Sequence, residues 1–260
     1  MEDQNNLVKR DFVNGVGILS LNRPDALNAL NAQLFNTLLS EISMMEADPH
    51  IACIILTGGG RTFCVGADIK YMAETQAETE QVIQFLGKFD QVANTSKPLI
   101  ACVNGAALGG GFELALACDF ILASERAFFS FPEVGLGLLP GGGGTQRITR
   151  LVGKQRAMEM ILTNQRISAA EAIEFGFVNK VCPPENLLEE GLRLGSQIAK
   201  LSPEAVRSAR KAILFSENNQ LETGLVFEKN LFAQLLNSDN GREGVSAFIE
   251  KRPPKWKKAV

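Results

Sequence analysis

Short apolar runs near the start of the chain are typical of β-strands. Two such runs, at residues 7–8 and 16–21, flank Asn14 and Gly15. This dipeptide favours a two-residue hairpin turn because both of its residues accept positive φ angles. The sequence therefore predicts a β-hairpin here.

After the hairpin, helix-like and strand-like segments alternate. Residues 31–46 place apolar side chains at helical spacing, and the apolar run 51–56 that follows is typical of a buried strand. The same cycle repeats as far as residue 131. It predicts helices at 81–92 and 111–118 and strands at 99–103, 120–123 and 127–131, the last two as a strand pair.

Helical patterns dominate beyond about residue 142. A wide apolar stripe between Leu221 and Leu236 fits either a core helix or a helix that contacts another subunit, and the pattern leaves both interpretations open. The other elements predicted in this region are helices at 146–162, 169–175, 187–201 and 204–215 and one strand at 178–181.

Composition indicates an ordinary globular protein. The 260 residues are 45% hydrophobic and 21% charged, which suits one main domain with an appendage. A net charge of −3 argues against a nucleic-acid partner, and no apolar stretch reaches the roughly 20 residues of a membrane span. We expect no secretion signal in the acidic, amide-rich N-terminus. The five cysteines form no C-x-x-C pair, so we expect buried free thiols and a reducing, cytoplasmic compartment.

Two turns of small residues carry the candidate chemistry. They are residues 64–68 (CVGAD) and 107–113 (ALGGGFE), each between a strand-like run and a helix-like segment. Small residues let a ligand approach the backbone, and N–H groups at a helix start are unpaired donors. We interpret the two turns together as an oxyanion hole that suits a thioester enolate.

Two carboxylates are candidates for acid–base chemistry. Glu113 lies in the first turn of an apolar helix, where an acid can also simply complement the helix dipole. Glu133 lies among apolar residues, where burial would raise its pKa and retain the proton that a general acid needs. The alternative for Glu133 is a structural ion pair with a distant arginine.

Other reaction types lack their residues. His50, the only histidine, precedes a strand, and neither a G-x-S-x-G elbow nor a flanked cysteine accompanies it. No zinc or calcium spacing is present, so no metal is expected. The glycine clusters at 58–60, 109–111 and 141–144 lack the spacing of phosphate and dinucleotide loops.

Five segments carry a specific resemblance: LNRPDALNAL at 21–30, GADIKYM at 66–72, NGAALGGGFELA at 104–115, FPEVGLG at 131–137 and PGGGGTQR at 140–147. Through them nearly the whole chain resembles the crotonase, or enoyl-CoA hydratase/isomerase, family. The resemblance implies an α/β fold, a crotonase-like spiral of β-β-α repeats with a C-terminal helical trimerisation region. We accordingly predict a core domain at 1–195 and a helical region at 196–260 that covers the active site and mediates oligomerisation.

The resemblance also implies the site. The backbone N–H groups of Ala67 and Gly110 would hold the thioester oxygen of an acyl-CoA. Glu113 would act as base at Cβ and Glu133 would supply the Cα proton, as in the family's hydratases. Lys70 would help to hold the coenzyme A end. The implied substrate and coenzyme A contacts are Ala26, Ala67, Asp68, Ile69, Lys70, Gly110 and Gly141.

One departure from the family pattern concerns coenzyme A binding. Asp25 stands where the family frequently has a basic residue, next to Ala26, whose backbone is implied beside the adenine. A basic C-terminal tail either replaces the missing charge, from the same or a neighbouring subunit, or is simply solvated. Its basic residues are Lys251, Arg252, Lys255, Lys257 and Lys258.

The resemblance implies an enoyl-CoA hydratase that converts trans-2-enoyl-CoA into 3-hydroxyacyl-CoA, with no cofactor beyond the coenzyme A of the substrate. It implies a homotrimer or homohexamer, without nucleic-acid or membrane partners. Alternatives are an isomerase, or a hydratase for a branched or dicarboxylic enoyl-CoA such as methylglutaconyl-CoA. An RNA-binding member would need a basic surface helix, and an inactive scaffold would not need both glutamates.

Overall fold

Strands and helices alternate along the part of the chain that the structure, a computed structural model, describes: residues 7–75 and 78–257. The strands are β1 (Val8–Val13), β2 (Val16–Leu21), β3 (Cys53–Gly58), β4 (Leu99–Val103), β5 (Ala106–Leu108), β6 (Phe120–Ser124), β7 (Phe128–Ser130), β8 (Ile167–Ser168) and β9 (Lys180–Cys182). The α-helices are α1 (Ala32–Ala47), α2 (Ile69–Thr75), α3 (Thr79–Ala93), α4 (Gly110–Leu116), α5 (Gly144–Val152), α6 (Lys154–Leu162), α7 (Ala169–Phe175), α8 (Leu187–Ala199), α9 (Pro203–Ser216), α10 (Leu221–Asn237) and α11 (Asp239–Ile249).

The strands form two sheets. The larger has the order β1-β2-β3-β4-β6-β9, and the smaller has the order β5-β7-β8. In the larger sheet the β1–β2 hairpin is antiparallel and every other pair is parallel. The hairpin turns at Asn14 and Gly15, whose φ angles are 49° and 85°, which confirms the predicted turn. The parallel pairs require crossovers, and these crossovers contain the site described below.

Both faces of the larger sheet are buried. In β3, Ile54 and Leu56 belong to the main core, which α1, α3 and α4 also build, whereas Cys53 and Ile55 belong to a second core that α8 covers. Parallel strands covered on both faces have continuous apolar sequences rather than alternating ones. This burial explains why the uninterrupted runs at 51–56 and 99–103 could be identified as strands.

The structure corrects the sequence prediction at three elements. The predicted helix 146–162 is two helices, because the backbone at Gly153 (φ 79°, ψ 163°) ends α5 and starts α6 in a new direction. The predicted strands 120–123 and 127–131 do not pair with each other, since β6 lies in the larger sheet and β7 in the smaller. The strand β8 has two residues, too few for a periodic signal.

The C-terminal helices leave an apolar face uncovered. Helix α10 packs on α9, where Phe215 and Phe227 stack with ring centroids 4.1 Å apart. No α10 residue is buried, and Leu221, Val226 and Phe232 are 76%, 60% and 67% exposed. The core-helix interpretation of this stripe is therefore wrong for the single chain, and the subunit contact stays a prediction. Within the described ranges, no helix is both long enough and apolar enough to span a bilayer.

Arg210 ties α9 to the sheets. Its Nε donates to both carboxylate oxygens of Asp119, at 2.9 and 2.8 Å, and its Nη2 donates to the carbonyl of Ala93 at 2.8 Å. Its Nη1 donates to the carbonyl of Thr95. The side chains of Arg210 and Asp119 are only 10% and 16% exposed, so each charge has lost most of its contact with water and is stabilised by the other.

We predict that Arg210→Met lowers the free energy of unfolding by about 3 kcal/mol or more, because it leaves Asp119 part-buried and unpaired. Urea denaturation measures the change. The double variant Arg210→Met/Asp119→Asn should recover part of the loss, since it removes the orphaned charge. A single variant within about 0.5 kcal/mol of the parent would contradict this account.

Candidate active site

The two small-residue turns meet at a short bridge between their first residues. Cys64 and Ala107 pair in parallel, and the N–H of Leu108 donates to the carbonyl of Cys64 at 3.0 Å. Two glycines make the contact possible. At Gly66 (φ 95°) a Cβ would lie 2.7 Å from the Leu108 carbonyl oxygen, and at Gly111 it would lie 2.0 Å from the Cys64 carbonyl oxygen. A side chain at either position would separate the turns.

The contact places two backbone donors side by side. A Cβ at Gly110 would lie 3.6 Å from the amide nitrogen of Ala67. Among the described residues, neither the Ala67 N–H nor the Gly110 N–H has a protein acceptor. Gly110 is the first residue of α4, where an amide has no partner within the helix. Two adjacent unpaired donors are the geometry that stabilises a developing oxyanion.

A third turn, residues 24–30, is hydrogen-bonded to the small-residue turn at 64–68. The N–H of Leu30 donates to the carbonyl of Gly66 at 2.7 Å, and the N–H of Asp68 donates back to the carbonyl of Leu30 at 3.0 Å. The carboxylate of Asp68 accepts from Arg23 Nη1 at 2.7 Å. Burial, the largest single influence, acts to raise the pKa of Asp68, but the ion pair with Arg23 opposes it and the pKa lies below its usual value.

Asn28 locks the same region from inside. It is fully buried with φ 58°, and its Nδ2 lies 3.1 Å from each of three carbonyls, those of Gly59, Thr62 and Phe63. Its Oδ1 accepts from the N–H of Arg23 at 2.9 Å. Asn28 therefore fastens the loop after β3 to the turn that supports Ala67.

Glu113 is buried against the glycine loop 141–144. Its side chain is on α4, and its Oε1 accepts from the N–H of Gly144 at 2.7 Å. A Cβ at Gly142 would lie 2.8 Å from Glu113 Oε2, so the loop encloses the carboxyl. Burial raises the pKa of Glu113 to about 7, the Gly144 hydrogen bond opposes that rise, and Glu133 adds to it. Glu113 is thus not a solvated acid at a helix end.

Glu133 is the first residue of the 3-10 turn Glu133–Leu136, which follows β7, and a Cβ at Gly109 would lie 2.5 Å from its Oε1. Its Oε2 is buried without a hydrogen-bond partner, and burial raises the pKa of this carboxyl. In the described part of the chain no arginine pairs with it, so the structural ion-pair interpretation is not supported. A carboxyl whose pKa is raised by burial holds its proton more strongly and can act as a general acid.

Most of the residues implied for coenzyme A binding lie on or next to the small-residue turn at 64–68. Ala26 ends the 3-10 turn Pro24–Ala26, and Ile69 and Lys70 start α2 with exposed side chains. Asp68 uses its carboxylate on Arg23, its N–H on the Leu30 carbonyl and its own carbonyl on the Met72 N–H, so each of its polar groups has a protein partner. Gly141 is exposed at the entrance of the glycine loop.

The basic tail is only partly available. Arg252 pairs with Glu243 at 2.6 Å and with Glu250 at 2.6 Å, and Lys257 pairs with Asp239 at 2.7 Å. Lys258 lies outside the described residues. The ion pairs of Arg252 and Lys257 support a surface role for these two residues more than a phosphate-binding one.

The remaining candidates for chemistry play no part at this site. His50 lies in an exposed turn beside Asp48, 3.0 Å away. All five cysteines are free and four are buried, as expected. Across residues 7–75 and 78–257, no cluster of three or more histidine, cysteine or acidic side chains could hold a metal ion.

Sequence reasoning missed four residues that shape the site: Arg23, Asn28, Phe89 and Arg147. Phe89 of α3 packs against the glycine segments 109–111 and 141–144. A Cβ at Gly142, for example, would come within 2.5 Å of its ring. A buried phenylalanine and paired charges distant in sequence have no local signature. Only Asn28, an amide in a glycine-free turn, had a signal, since asparagine tolerates positive φ.

Fold and site together define an α/β protein with two desolvated carboxyls and two adjacent unpaired backbone N–H groups. The chain belongs to the enoyl-CoA hydratase/isomerase family, because the model of that family matches residues 11–259. The structure resembles that of enoyl-CoA hydratase from Bacillus anthracis, with a TM-score of 0.91 and 39% identity over 97% of this chain and 100% of that one. The predicted family and the crotonase-type α/β fold are therefore confirmed.

Two curated relatives agree. A probable enoyl-CoA hydratase of Rhizobium meliloti is 46% identical over 242 residues, which cover 93% of this chain and 94% of the relative. The 2,3-dehydroadipyl-CoA hydratase of Escherichia coli is 42% identical over 240 residues, covering 92% of this chain and 94% of that protein. The hydro-lyase class expected from the sequence agrees with these names.

We predict that Glu113→Gln stabilises the protein at high pH. The pKa of Glu113 rises from 4.5 to about 7 on folding, so between these pH values the folded state binds more protons than the unfolded state. The parent therefore loses roughly 3 kcal/mol of its free energy of unfolding as the pH rises from 4.5 to about 7. Glutamine can still accept the Gly144 N–H but carries no charge.

Chemical denaturation at pH 5 and pH 8 tests this prediction. The variant should gain little at pH 5 and most at pH 8. Glu174→Gln, at an exposed position of α7, is the matched control and should show no such dependence. Equal effects at both pH values would contradict the assignment of a buried, ionising Glu113.

Proposed function

We propose that the chain is an enoyl-CoA hydratase that adds water across the 2,3 double bond of trans-2-enoyl-CoA and forms 3-hydroxyacyl-CoA. The observation that carries the proposal is the pair Glu113 and Glu133, two desolvated carboxyls of which Glu133 raises the pKa of Glu113, together with the unpaired N–H groups of Ala67 and Gly110. The names of the curated relatives support the same reaction.

In the proposed reaction the thioester oxygen accepts from Ala67 and Gly110, which withdraws electron density from the double bond. Glu113 takes a proton from a water molecule, whose oxygen forms the new bond at Cβ. The π electrons move towards the thioester as an enolate that the two N–H groups stabilise. Glu133 then donates its proton to Cα, and proton exchange with solvent resets both carboxyls.

The hydrogen-bond donors at the two carboxyls differ in the sense that this division of roles needs. The N–H of Gly144 stabilises the ionised form of Glu113, whereas the free Oε2 of Glu133 has no donor to support a charge. With its pKa at about 7, Glu113 is substantially ionised near neutral pH. Because each carboxyl affects the other, the pair titrates as a unit.

For the coenzyme A end, we propose contacts with Ala26 and the start of α2. Ile69 and Lys70 are exposed there, and Lys70 supplies a positive charge. Asp68 would hold the turn before α2 in place through its ion pair with Arg23, and Gly141 would border the acyl group. No cofactor beyond coenzyme A is needed for this reaction. The free thiols support a reducing compartment such as the cytoplasm.

A second candidate is hydration of a dicarboxylic enoyl-CoA. The relative in Escherichia coli is named for such a substrate and matches nearly the whole chain. Both candidates use the same carboxyl pair and differ only in the acyl group. Comparing kcat/KM for crotonyl-CoA and 2,3-dehydroadipyl-CoA distinguishes them, since a preference of about tenfold or more for the dicarboxylic compound would select the second.

We predict that Glu113→Gln and Glu133→Gln each lower the hydration rate of crotonyl-CoA on the order of 100-fold or more, because each removes one proton transfer. Loss of the conjugated thioester absorbance measures the rate. Glu174→Gln is again the matched control and should retain the parent rate.

Near-parental turnover in either variant would remove that residue from the mechanism. A parent that leaves crotonyl-CoA untouched would argue against hydration of simple enoyl-CoA, and 3-enoyl-CoA would then test the isomerase alternative.

We also propose that α10 mediates a homotrimer, or a hexamer of two trimers, and that residues 1–195 and 196–260 form the core and the oligomerisation region. The exposed apolar stripe supports this assembly, because large uncovered apolar surfaces mark interaction sites. Phe232→Glu should convert the oligomer to smaller species in light scattering, whereas Glu228→Gln on the same helix should not. An unchanged mass for Phe232→Glu would place the interface elsewhere.

A further inference from the structure

The glycine loop 141–144 has two sides, and only one of them faces the carboxyl pair. On the inner side, the N–H of Gly144 donates to Glu113 and a Cβ at Gly142 would come within 2.8 Å of the carboxyl. The outer side is covered by Arg147, from the first turn of α5. The loop that holds Glu113 is therefore itself held from behind.

Arg147 contacts the loop and a neighbouring helix with one guanidinium. Its Nη1 donates to the carbonyl of Gly142 at 2.8 Å, and its Nη2 donates to Asp90 Oδ1 of α3 at 2.8 Å. A Cβ at Gly143 would lie 2.0 Å from Nη1, so the guanidinium occupies space that is free only because residue 143 has no side chain. The planar fork of arginine suits two acceptors in fixed directions.

Stability alone does not account for the pair. Arg147 is 20% exposed, but its partner Asp90 is 69% exposed, and an ion pair with so exposed a partner contributes little to folding. The hydrogen bond from Arg147 fixes the direction of the Gly142 carbonyl. It thereby also fixes the orientation of the loop N–H groups that point towards Glu113. Small displacements of such groups have large effects on reaction rates.

We propose that Arg147 is a positioning residue for hydration, clamping the Gly142 carbonyl to α3 through Asp90 and so holding loop 141–144 in the conformation that binds Glu113. The inference rests on the proposed function, since it assigns Arg147 a part in that reaction. Arg147 itself touches neither water nor substrate in this proposal.

The charge of Arg147 gives the proposal a measurable signature. The charged groups acting on Glu113 among the described residues are Glu133, from the turn after β7, and Arg147, from α5, with Asp90 of α3 behind Arg147. Burial dominates the raised pKa of Glu113, and Arg147 lowers it. Removing the guanidinium should therefore raise this pKa further, whereas removing the Asp90 charge should lower it.

The test compares pH profiles of kcat for crotonyl-CoA hydration. Arg147→Gln should lower kcat about tenfold to 100-fold with KM within about twofold, and should move the acid limb of the profile upward by about half a pH unit or more. Arg147→Lys keeps the charge, so its acid limb should stay near the parent's while kcat remains reduced. Asp90→Asn should move the limb in the opposite direction.

The matched control is Arg150→Gln, one turn further along α5, whose Nη1 donates to the Gln146 carbonyl of its own helix at 2.9 Å. It should leave both kcat and the acid limb unchanged. An Arg147→Gln variant with parental kcat, or with reduced kcat and an unmoved limb, would overturn the proposal. If Arg147→Gln does not fold, Asp90→Asn decides, because an unmoved limb there overturns the proposal equally.

A readout without activity separates this inference from the proposed function. The pH range over which the parent loses stability relative to Glu113→Gln reports the protonation of Glu113 in the folded state. In an Arg147→Gln background this range should shift upward. A parent without hydratase activity would refute the function, whereas an unshifted range would refute the role of Arg147 on Glu113.

Discussion

Two backbone turns can touch in this protein only because residues 66 and 111 lack side chains. A Cβ at Gly66 would meet the carbonyl of Leu108, and a Cβ at Gly111 would meet the carbonyl of Cys64, so either one would open the gap between the turns. Their contact brings two unpaired N–H groups together and sets Glu133 against the backbone. The sheets matter to the site because the crossovers after β3 and β5 deliver these turns to one place.

Buried polar groups near the turns fall into two kinds, and the difference marks their roles. Asn28 is buried with every polar atom bonded, three carbonyls on its amide nitrogen and one N–H on its oxygen, and it fixes the loop after β3. Glu133 keeps a buried oxygen without a partner, which is costly for folding. The satisfied residue stabilises the scaffold, and the unsatisfied one has bonding capacity left for a reactant.

Features that depend on neighbouring residues could be predicted from the sequence, whereas features that depend on residues distant in the chain could not. The β-hairpin, the longer buried strands and the two turns have local signatures and could be predicted, whereas the short strands β5 and β8 could not. Residues 146–162 could not be divided correctly, because one glycine within a helical pattern does not reveal its φ angle. Arg23, which pairs with Asp68 across 45 positions, and Arg147, which reaches Asp90 on another helix, depend on the tertiary fold and have no signature in their own segments.

The difference between the two carboxyls, rather than their burial alone, makes an acid–base pair possible. Both are desolvated, so both resist ionisation, and two identical carboxyls would offer no direction for proton transfer. The Gly144 N–H and the more distant charge of Arg147 favour a negative charge on Glu113, while Glu133 has no donor on its buried oxygen. In the proposed mechanism the glycine loop therefore decides which carboxyl accepts the proton of water and which one retains a proton to give.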